Sequence, residues 1–210
     1  MHRDNAEGSS GPNHHLSDRQ QAVLVGTLLG DGCVAKHGRH HRLHVKHKEA
    51  QRSLVEFKYD VFRTLTTMPI HRFDQRLNGK IYPCLQFATR TSSSLSEWHA
   101  KFYRGSRKSI PPDVGADLSP LALAVWLMDD GAADYAGVTL QTHSFRCDEV
   151  RLLSDVLRWR FGLATSCREN KGRSIIYVAA SSIARLREIV EPFVLSDLHY
   201  KLMPRRTRTP

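Results

Sequence analysis

The sequence predicts an α/β protein built from two copies of one unit, and three repeated features support that prediction. Two capped apolar helices each end at an Asp-Gly pair, a β-rich stretch follows each of them, and an amphipathic helix follows each stretch. The aspartates at the two helix ends, Asp31 and Asp130, are 99 residues apart in a chain of 210 residues. We therefore expect an internal duplication in which each copy occupies close to half of the chain.

The two predicted motif helices begin at Ser17 and Ser119. Ser17 opens a capping-box pattern, and the apolar run AVLVGTLL then leads to Gly30-Asp31-Gly32. Ser119 is followed by a proline at the first helical position, and the run LALAVWLM leads to Asp129-Asp130-Gly131. Both copies are therefore expected to place an aspartate at a helix C-terminus.

The strand predicted over residues 42–48 has two different faces. Basic side chains alternate there with Leu43, Val45 and His47. Such a strand suits a sheet that lies on phosphates with one face and packs against helices with the other. Further strands are predicted at residues 82–91 and 138–142, and as a hairpin around Asn170-Lys171-Gly172 whose second arm is residues 174–179.

These elements divide the chain into two repeats and three connecting or flanking segments. We expect a polar disordered tail at residues 1–16, a first repeat at 17–109 and a linker at 110–118, where two prolines and a glycine occur. The second repeat is expected at 119–203, followed by a basic tail at 204–210.

Composition limits the class of protein. The sequence is 40% hydrophobic and 25% charged, which is typical of a globular protein, and its longest apolar stretch, residues 121–128, is too short to span a bilayer. The first fifteen residues lack the apolar run of a secretory signal, so we expect a protein that is not secreted and lies in the cytoplasm, on the nucleoid or in an organellar matrix. The four cysteines form no CxxC pair, which predicts reduced thiols and gives no support for a disulfide framework or a structural zinc site.

The charge balance indicates a polyanionic partner. Lysine and arginine number 31 against 21 acidic residues, giving a net charge of +10 and an isoelectric point near 9.8. A basic excess of this size is typical of nucleic-acid-binding proteins, although a merely soluble basic protein has the same total.

The two helix-ending aspartates have two explanations. In the first, Gly32 and Gly131 supply left-handed turn residues and each aspartate only stabilises the turn. The second starts from Ala22, Gly26 and Gly30, which recur at every fourth position and leave one face of the first helix nearly bare. If the two helices pack along that face, the carboxylates converge with exposed carbonyls, a set of oxygen ligands suited to Mg²⁺.

The segments LVGTLLGDG (24–32) and LAVWLMDDG (123–131) resemble the two signature motifs of the LAGLIDADG homing endonucleases, specifically the monomeric two-motif members encoded in mobile introns. The similarity extends over most of the second half, from SIPPDV to HYKLMP, and over the motif, strand and helix of the first half. It implies duplicated αββαββα units related by a pseudo-two-fold axis. The motif helices would pack at the centre, and two antiparallel sheets would form a saddle in the DNA major groove.

The resemblance also implies a catalytic site. Asp31 and Asp130 would bind Mg²⁺, for which Mn²⁺ would substitute, and the carbonyls of Gly30 and Asp129 would join the metal ligands. A lysine near each scissile phosphate would stabilise the transition state or polarise the attacking water; the matching positions are Lys108 and Lys201. Composition alone would make both of them solvated surface lysines.

Three departures from the family pattern affect this expectation. Val125 and Asp129 replace a glycine and an alanine, so we expect looser packing of the central helices and a carboxylate able to compete for metal. His47 stands where some members have a water-organising glutamine, and His143 is its counterpart. Both histidines are better explained as DNA-facing or partly buried polar residues than as water-organising groups.

Basic and amide side chains on the predicted strands and hairpin are the candidate DNA contacts. The histidine-rich run HGRHHRLHVKH is better explained by a DNA-facing loop and strand than by a metal site, because it lacks companion ligands at metal-binding spacing. The candidates are Arg42, His44, Lys46, Lys48, Gln86, Arg90, Gln141, Arg168, Asn170, Lys171 and Arg173.

The expected function is site-specific cleavage of both strands of a long, asymmetric double-stranded DNA target by a monomer. The alternatives are an intron-splicing maturase, with intron RNA as its partner, and a non-cleaving DNA-binding protein on the same scaffold. A basic protein without a specific target is a third alternative, which predicts sequence-independent binding that weakens steeply with salt.

Overall fold

The structure is a computed structural model that describes residues 15–203. The expected basic tail at 204–210 and residues 1–14 of the expected N-terminal tail lie outside the described residues. Leu16 is buried in the core, so the packed part of the chain includes a residue before the expected boundary at 17.

The described chain forms two successive αββαββα units, as the sequence predicts. The first unit comprises α1 (Asp18–Leu29), β1 (Cys33–His37), β2 (His40–Lys48), α2 (Arg52–Val61), β3 (His71–Leu77), β4 (Lys80–Ala88) and α3 (Ser93–Phe102). A short ribbon of β5 (Tyr103–Arg104) and β6 (Arg107–Lys108) and the single turn α4 (Val114–Asp117) connect it to the second unit. The second unit comprises α5 (Pro120–Asp130), β7 (Gly131–Asp134), β8 (Gly137–Gln141), α6 (Cys147–Phe161), β9 (Thr165–Asn170), β10 (Arg173–Val178) and α7 (Ile183–Val190), followed by a 3-10 segment, Ser196–Leu202.

The two four-stranded sheets have equivalent topologies. The strand orders are β1-β2-β4-β3 and β7-β8-β10-β9, and every pairing is antiparallel. The hairpins β3–β4 and β9–β10 close through Asn78-Gly79 and Lys171-Gly172, whose φ angles are 50° and 73° in one turn and 52° and 74° in the other. Two successive positive φ angles define the tight turn that matches the twist of a hairpin. The duplication therefore extends to the hairpin tips.

The motif helices α1 and α5 pack against each other at the centre of the molecule. A Cβ atom at Gly26 would overlap the carbonyl oxygen of Ala122 and lie 2.6 Å from the Cβ of Val125. Val125 is fully buried, and its side chain occupies the space that Gly26 leaves open. The expectation that Val125 loosens the packing is therefore wrong, because a glycine on one helix accommodates the valine on the other.

The connection between the units is part of the core. Ile110, Val114 and Leu118 are buried, so residues 110–118 pack as a compact strap rather than as a free linker. The four cysteines are free thiols, as expected. None of the helices in residues 15–203 has the length and apolarity needed to cross a membrane.

Candidate active site

The packing of α1 against α5 brings Asp31 and Asp130 to the same cavity. Asp130 is the last residue of α5, and Asp31 follows the residue that caps α1, Gly30. Both aspartates line a cavity of about 360 Å³ together with Lys108 and Gln141. The Asp31 side chain is 53% exposed, which leaves its carboxylate accessible from solvent. The two carboxylates therefore converge as the duplication predicts.

The electrostatic environment of Asp130 reflects this convergence. Burial, followed by the carboxylates of Asp31 and Asp129, raises the pKa of Asp130 to about 7, and the ammonium groups of Lys108 and Lys201 oppose the shift. A second anion in this space is unfavourable without a cation to neutralise it.

Each lysine expected at the site reaches the end of one motif helix. Lys108 Nζ donates to the carbonyl oxygen of Gly30 at 2.7 Å. Lys201 Nζ donates to the carbonyl oxygen of Asp129 at 3.0 Å and also to that of Met128. Burial lowers the pKa of both lysines, while the nearby aspartates oppose the shift. Neither residue is a solvated surface lysine.

The carbonyls of Gly30 and Asp129, expected as metal ligands, are the acceptors of these two lysines. A carbonyl oxygen has two lone pairs, so one remains available after each lysine bond. The two positions correspond, since each carbonyl immediately precedes a helix-ending aspartate. The negative end of each motif helix's dipole therefore lies next to a lysine ammonium group.

The Asp129 side chain points away from this cavity and into the first unit. Its carboxylate accepts hydrogen bonds from Lys58 Nζ at 2.6 and 2.8 Å, and both side chains are fully buried. It also accepts the backbone N–H of Asp31 at 3.3 Å. The expectation that this carboxylate competes with Asp130 for metal is wrong, because Lys58 already neutralises it.

His47 and His143 occupy different environments. His47 is buried, with Nδ1 3.7 Å from Asp31 Oδ2 and Nε2 3.5 Å from Asp129 Oδ1. Burial and then the Lys58 ammonium lower the pKa of His47 to about 3, so the imidazole is neutral near pH 7. His143 is exposed and lines the cavity of the two aspartates.

Gln141, expected as a DNA contact, lies in the same cavity as the two aspartates. Its side-chain oxygen is buried and accepts no hydrogen bond from the described residues. Within residues 15–203, no three or more His, Cys, Asp or Glu side chains are grouped to bind a metal. A cation here would therefore be held by two carboxylates and neutral oxygens, a set that favours a hard divalent ion over zinc.

The basic residues predicted on β2 share one strand face. Leu43, Val45 and His47 are buried on the opposite face, and Lys46 is paired with Gln86 of β4. Asp31 borders a second cavity of about 500 Å³ that is lined by Lys46 and Lys48. The strand face is thus continuous with the carboxylate site. Its predicted members are Arg42, His44, Lys46, Lys48 and Gln86.

The second sheet contributes the basic hairpin β9–β10. The guanidinium carbon of Arg168 lies 3.3 Å from the ring centroid of Tyr177, and Arg168 lies 3.9 Å from Asp134. Lys171 and Arg173 are exposed at the end of this hairpin, and Asn170 is half-buried there. Tyr177 is uncharged, so the charge pattern of the sequence does not identify it as the partner of Arg168.

Arg90, another candidate DNA contact, is hydrogen-bonded within the protein. Its guanidinium donates to the carbonyl oxygen of Thr64, beyond the end of α2, at 2.9 Å. Arg90 lies beyond the end of β4 and its side chain is exposed, so this hydrogen bond leaves it accessible to a partner. The assignment of Arg90 as a DNA contact stays a prediction.

Sequence reasoning missed Lys58. A helical spacing places Lys58 on the same buried face of α2 as Leu54 and Val55. A lysine within an apolar helical stripe is the signal that would have identified it, since such a lysine needs a buried anionic partner.

The comparisons with known proteins agree with this architecture. A family model described as the LAGLIDADG DNA endonuclease family matches residues 21–186. The cytochrome b mRNA maturase bI2 of Debaryomyces hansenii is 27% identical over 90% of this chain and 76% of that protein. The DNA endonuclease I-ChuI of Chlamydomonas applanata is 28% identical over 89% of this chain and 95% of that enzyme. The solved structure of the homing endonuclease I-WcaI bound to its DNA recognition sequence is similar with a TM-score of 0.86 and 26% identity, covering 91% of this chain and 89% of that one.

Proposed function

The chain belongs to the LAGLIDADG DNA endonuclease family, and we propose that it is a homing endonuclease that cleaves both strands of a long, asymmetric double-stranded DNA target with a divalent metal ion. The observation that carries this proposal is the shared cavity of Asp31 and Asp130 at the ends of the two central helices. Two acids from two equivalent units suit a reaction on two strands of one duplex.

DNA binding is supported by the basic strand face and hairpin. Lys46 and Lys48 line a cavity that also contains Asp31, so a phosphate backbone on the strand face would lie next to the acids. Lysine and arginine neutralise phosphates, whereas glutamine and asparagine suit base edges. The solved relative I-WcaI is bound to its DNA recognition sequence, which supports the same use of this fold.

The donor set fits a hard divalent cation, and we assign Mg²⁺, with Mn²⁺ as a substitute. The raised pKa of Asp130, caused by burial and then by the carboxylates of Asp31 and Asp129, and the unpartnered oxygen of Gln141 both support a site whose oxygen atoms would be stabilised by a bound cation. Asp31 and Asp130 would hold the ion, and the free lone pairs of the Gly30 and Asp129 carbonyls lie beside them. When bound, Mg²⁺ supplies charge stabilisation at the scissile phosphate and at the attacking water.

The protein's own groups complete the mechanism. Lys108 and Lys201 hold protonated ammonium groups at the two helix ends, where they stabilise the negative charge that develops on the phosphate oxygens. Each Nζ could also polarise the attacking water. No covalent intermediate with the protein is needed, because water is the nucleophile.

The two units differ in their DNA-facing residues, which suits an asymmetric target. The first unit presents a basic strand, whereas the second presents a hairpin with Arg168 stacked on Tyr177. We therefore propose that a monomer binds the whole site, since both half-sites can be read by one chain.

The similarity to maturase bI2 favours one second function. In intron splicing, the basic residues of the same chain would bind intron RNA. This activity would not require the aspartate pair. Splicing of the host intron with wild-type protein and with Asp31→Asn separates the two functions. Rescue of splicing by the variant, together with loss of cleavage, would assign both activities to one scaffold.

A cleavage selection tests the endonuclease proposal. The protein is incubated with Mg²⁺ and a library of randomised duplexes. The ends that cleavage creates are then sequenced. The proposal predicts recovery of one long, non-palindromic site that is cut on both strands. Cleavage without a sequence preference, or recovery of nicked products alone, would contradict it.

A further inference from the structure

A buried ion pair joins the first unit to the second behind the candidate metal site. Lys58 extends from α2 and Asp129 from the last turn of α5, and their atoms are separated by 2.6 and 2.8 Å. Neither side chain is exposed to solvent. The mechanism proposed above uses neither of these side chains.

The Asp129 carboxylate contacts the end of the other motif helix directly. It accepts the backbone N–H of Asp31 at 3.3 Å, and a Cβ at Gly30 would overlap it. Glycine at position 30 therefore allows the carboxylate to approach the backbone that carries Asp31. His47 closes the cluster, with Nε2 3.4 Å from Lys58 Nζ and Nδ1 3.7 Å from the Asp31 carboxylate.

Stability alone does not explain this pair. Burying two charges carries a large desolvation penalty, and well-packed apolar side chains of similar volume are often equally stabilising. Asp129 also lies at a helix C-terminus, where the macrodipole opposes a negative charge. The contact that apolar replacements could not make is the hydrogen bond to the Asp31 backbone.

We propose that Lys58 and Asp129 are positioning residues that hold the Asp31 carboxylate in the orientation required for metal binding and cleavage. Lys58 fixes the rotamer of Asp129 through both carboxylate oxygens, and Asp129 fixes the backbone of Asp31. The pair thereby couples the first unit's metal ligand to the second unit's motif helix. This inference rests on the proposed nuclease function only where cleavage is the readout.

The test replaces the whole pair, so that no uncompensated charge is left in the core. Lys58→Met combined with Asp129→Ala removes both charges, and Asp129→Asn keeps the shape while removing one. The matched control is Lys101→Met combined with Asp117→Ala, which removes a partly buried pair with a 2.6 Å separation next to the N-terminal end of α5.

Two measurements on these proteins decide the proposal. Amide hydrogen exchange of Asp31, measured by NMR in the free protein without metal, should accelerate at least about 10-fold in the double variant. Single-turnover cleavage of a selected target in Mg²⁺ should slow by about 10- to 100-fold, as expected for a misplaced catalytic group. The DNA Kd without metal should stay within about 3-fold, and the control should match wild type in both measurements.

The outcomes separate this inference from the proposed function. A double variant with wild-type exchange at Asp31 and wild-type cleavage would overturn the positioning role. Absence of cleavage by the wild-type protein would contradict the nuclease proposal, whereas the exchange measurement needs neither DNA nor metal and still decides the positioning role. If Asp129→Asn fails to fold because Lys58 is left unpaired, the double variant provides the test.

Discussion

Lys108 Nζ lies 2.7 Å from the carbonyl oxygen of Gly30, the residue immediately before Asp31. Lys201 makes the same contact with Asp129, the residue immediately before Asp130. Each central helix end thus carries an aspartate, and a lysine binds the carbonyl of the residue immediately before it. This repeated arrangement is what the proposed reaction on two DNA strands requires of a duplicated fold.

Replacing either lysine with methionine should slow cleavage far more than it weakens DNA binding. Removing one preorganised positive donor from a developing anion costs about 10²- to 10³-fold in rate. Single-turnover cleavage and DNA Kd of Lys108→Met and Lys201→Met check this prediction. Wild-type rates in both variants would mean that these ammonium groups only stabilise the carbonyl groups at the helix ends.

Asp130→Asn should stabilise the metal-free protein at pH 8 relative to wild type. Burial and the two neighbouring carboxylates raise the folded-state pKa of Asp130 to about 7, well above the value of about 3.9 in an unfolded chain. A raised folded-state pKa gives stability that is present below the unfolded value and is lost as the pH rises through the folded value. Asp130→Asn removes the ionisable group, so the variant does not lose this stability as the pH rises.

The stability gain from Asp130→Asn should therefore be larger at pH 8 than at pH 4, by on the order of 1–3 kcal/mol. Urea titrations at the two pH values in the presence of EDTA measure the difference. Equal gains at both values would show that Asp130 titrates normally.

Gly26→Ala should destabilise the protein by about 2–4 kcal/mol, because the new methyl group would overlap the Ala122 carbonyl in the central helix pair. Gly38→Ala is the control, since nothing lies within 4 Å of its added Cβ and only its φ of +63° is unfavourable. The control should cost about 1 kcal/mol. Chemical denaturation of both variants checks the prediction, and equal losses would contradict the close helix contact.

Arg168→Lys should weaken discrimination at one base pair of the target more than it weakens overall binding. The variant keeps the charge but loses the planar guanidinium that stacks on Tyr177. A loss of about 1–3 kcal/mol of discrimination at that position is expected. Lys171→Ala is the contrasting variant, which should lower affinity for all sequences and reduce the salt dependence.

Binding measured on a panel of single-base target variants tests the Arg168 prediction. An unchanged base preference in Arg168→Lys would assign Arg168 to phosphate contact instead.

Much of the architecture follows from short-range signals in the sequence. Ser17 and Ser119 cap α1 and α5 as expected, and the apolar runs that end in Asp-Gly identify both helices. Strand β3 was missed because its sequence, HRFDQRL, has no apolar alternation and most of its side chains are exposed. Its pairing with β4, rather than burial of one face, makes it a strand.

The interior of the site could not be predicted to the same extent. The convergence of Asp31 and Asp130 follows from the duplication, but the direction of the Asp129 side chain depends on Lys58, which is 71 residues away in sequence. Arg90 likewise has a partner that its charge did not predict, the backbone carbonyl of Thr64. Local sequence patterns do not show which distant residue a polar group will bind in the folded protein.

The proposed pair of metal-binding aspartates is tested most directly by the single-turnover cleavage rates of Asp31→Asn and Asp130→Asn on a selected target in Mg²⁺. Both variants should bind the duplex with an affinity close to that of wild type but leave both strands intact, with rates at least about 10³-fold lower, because each variant removes one of the two carboxylates proposed to bind the metal. Cleavage of both strands at the wild-type rate by both variants would contradict it.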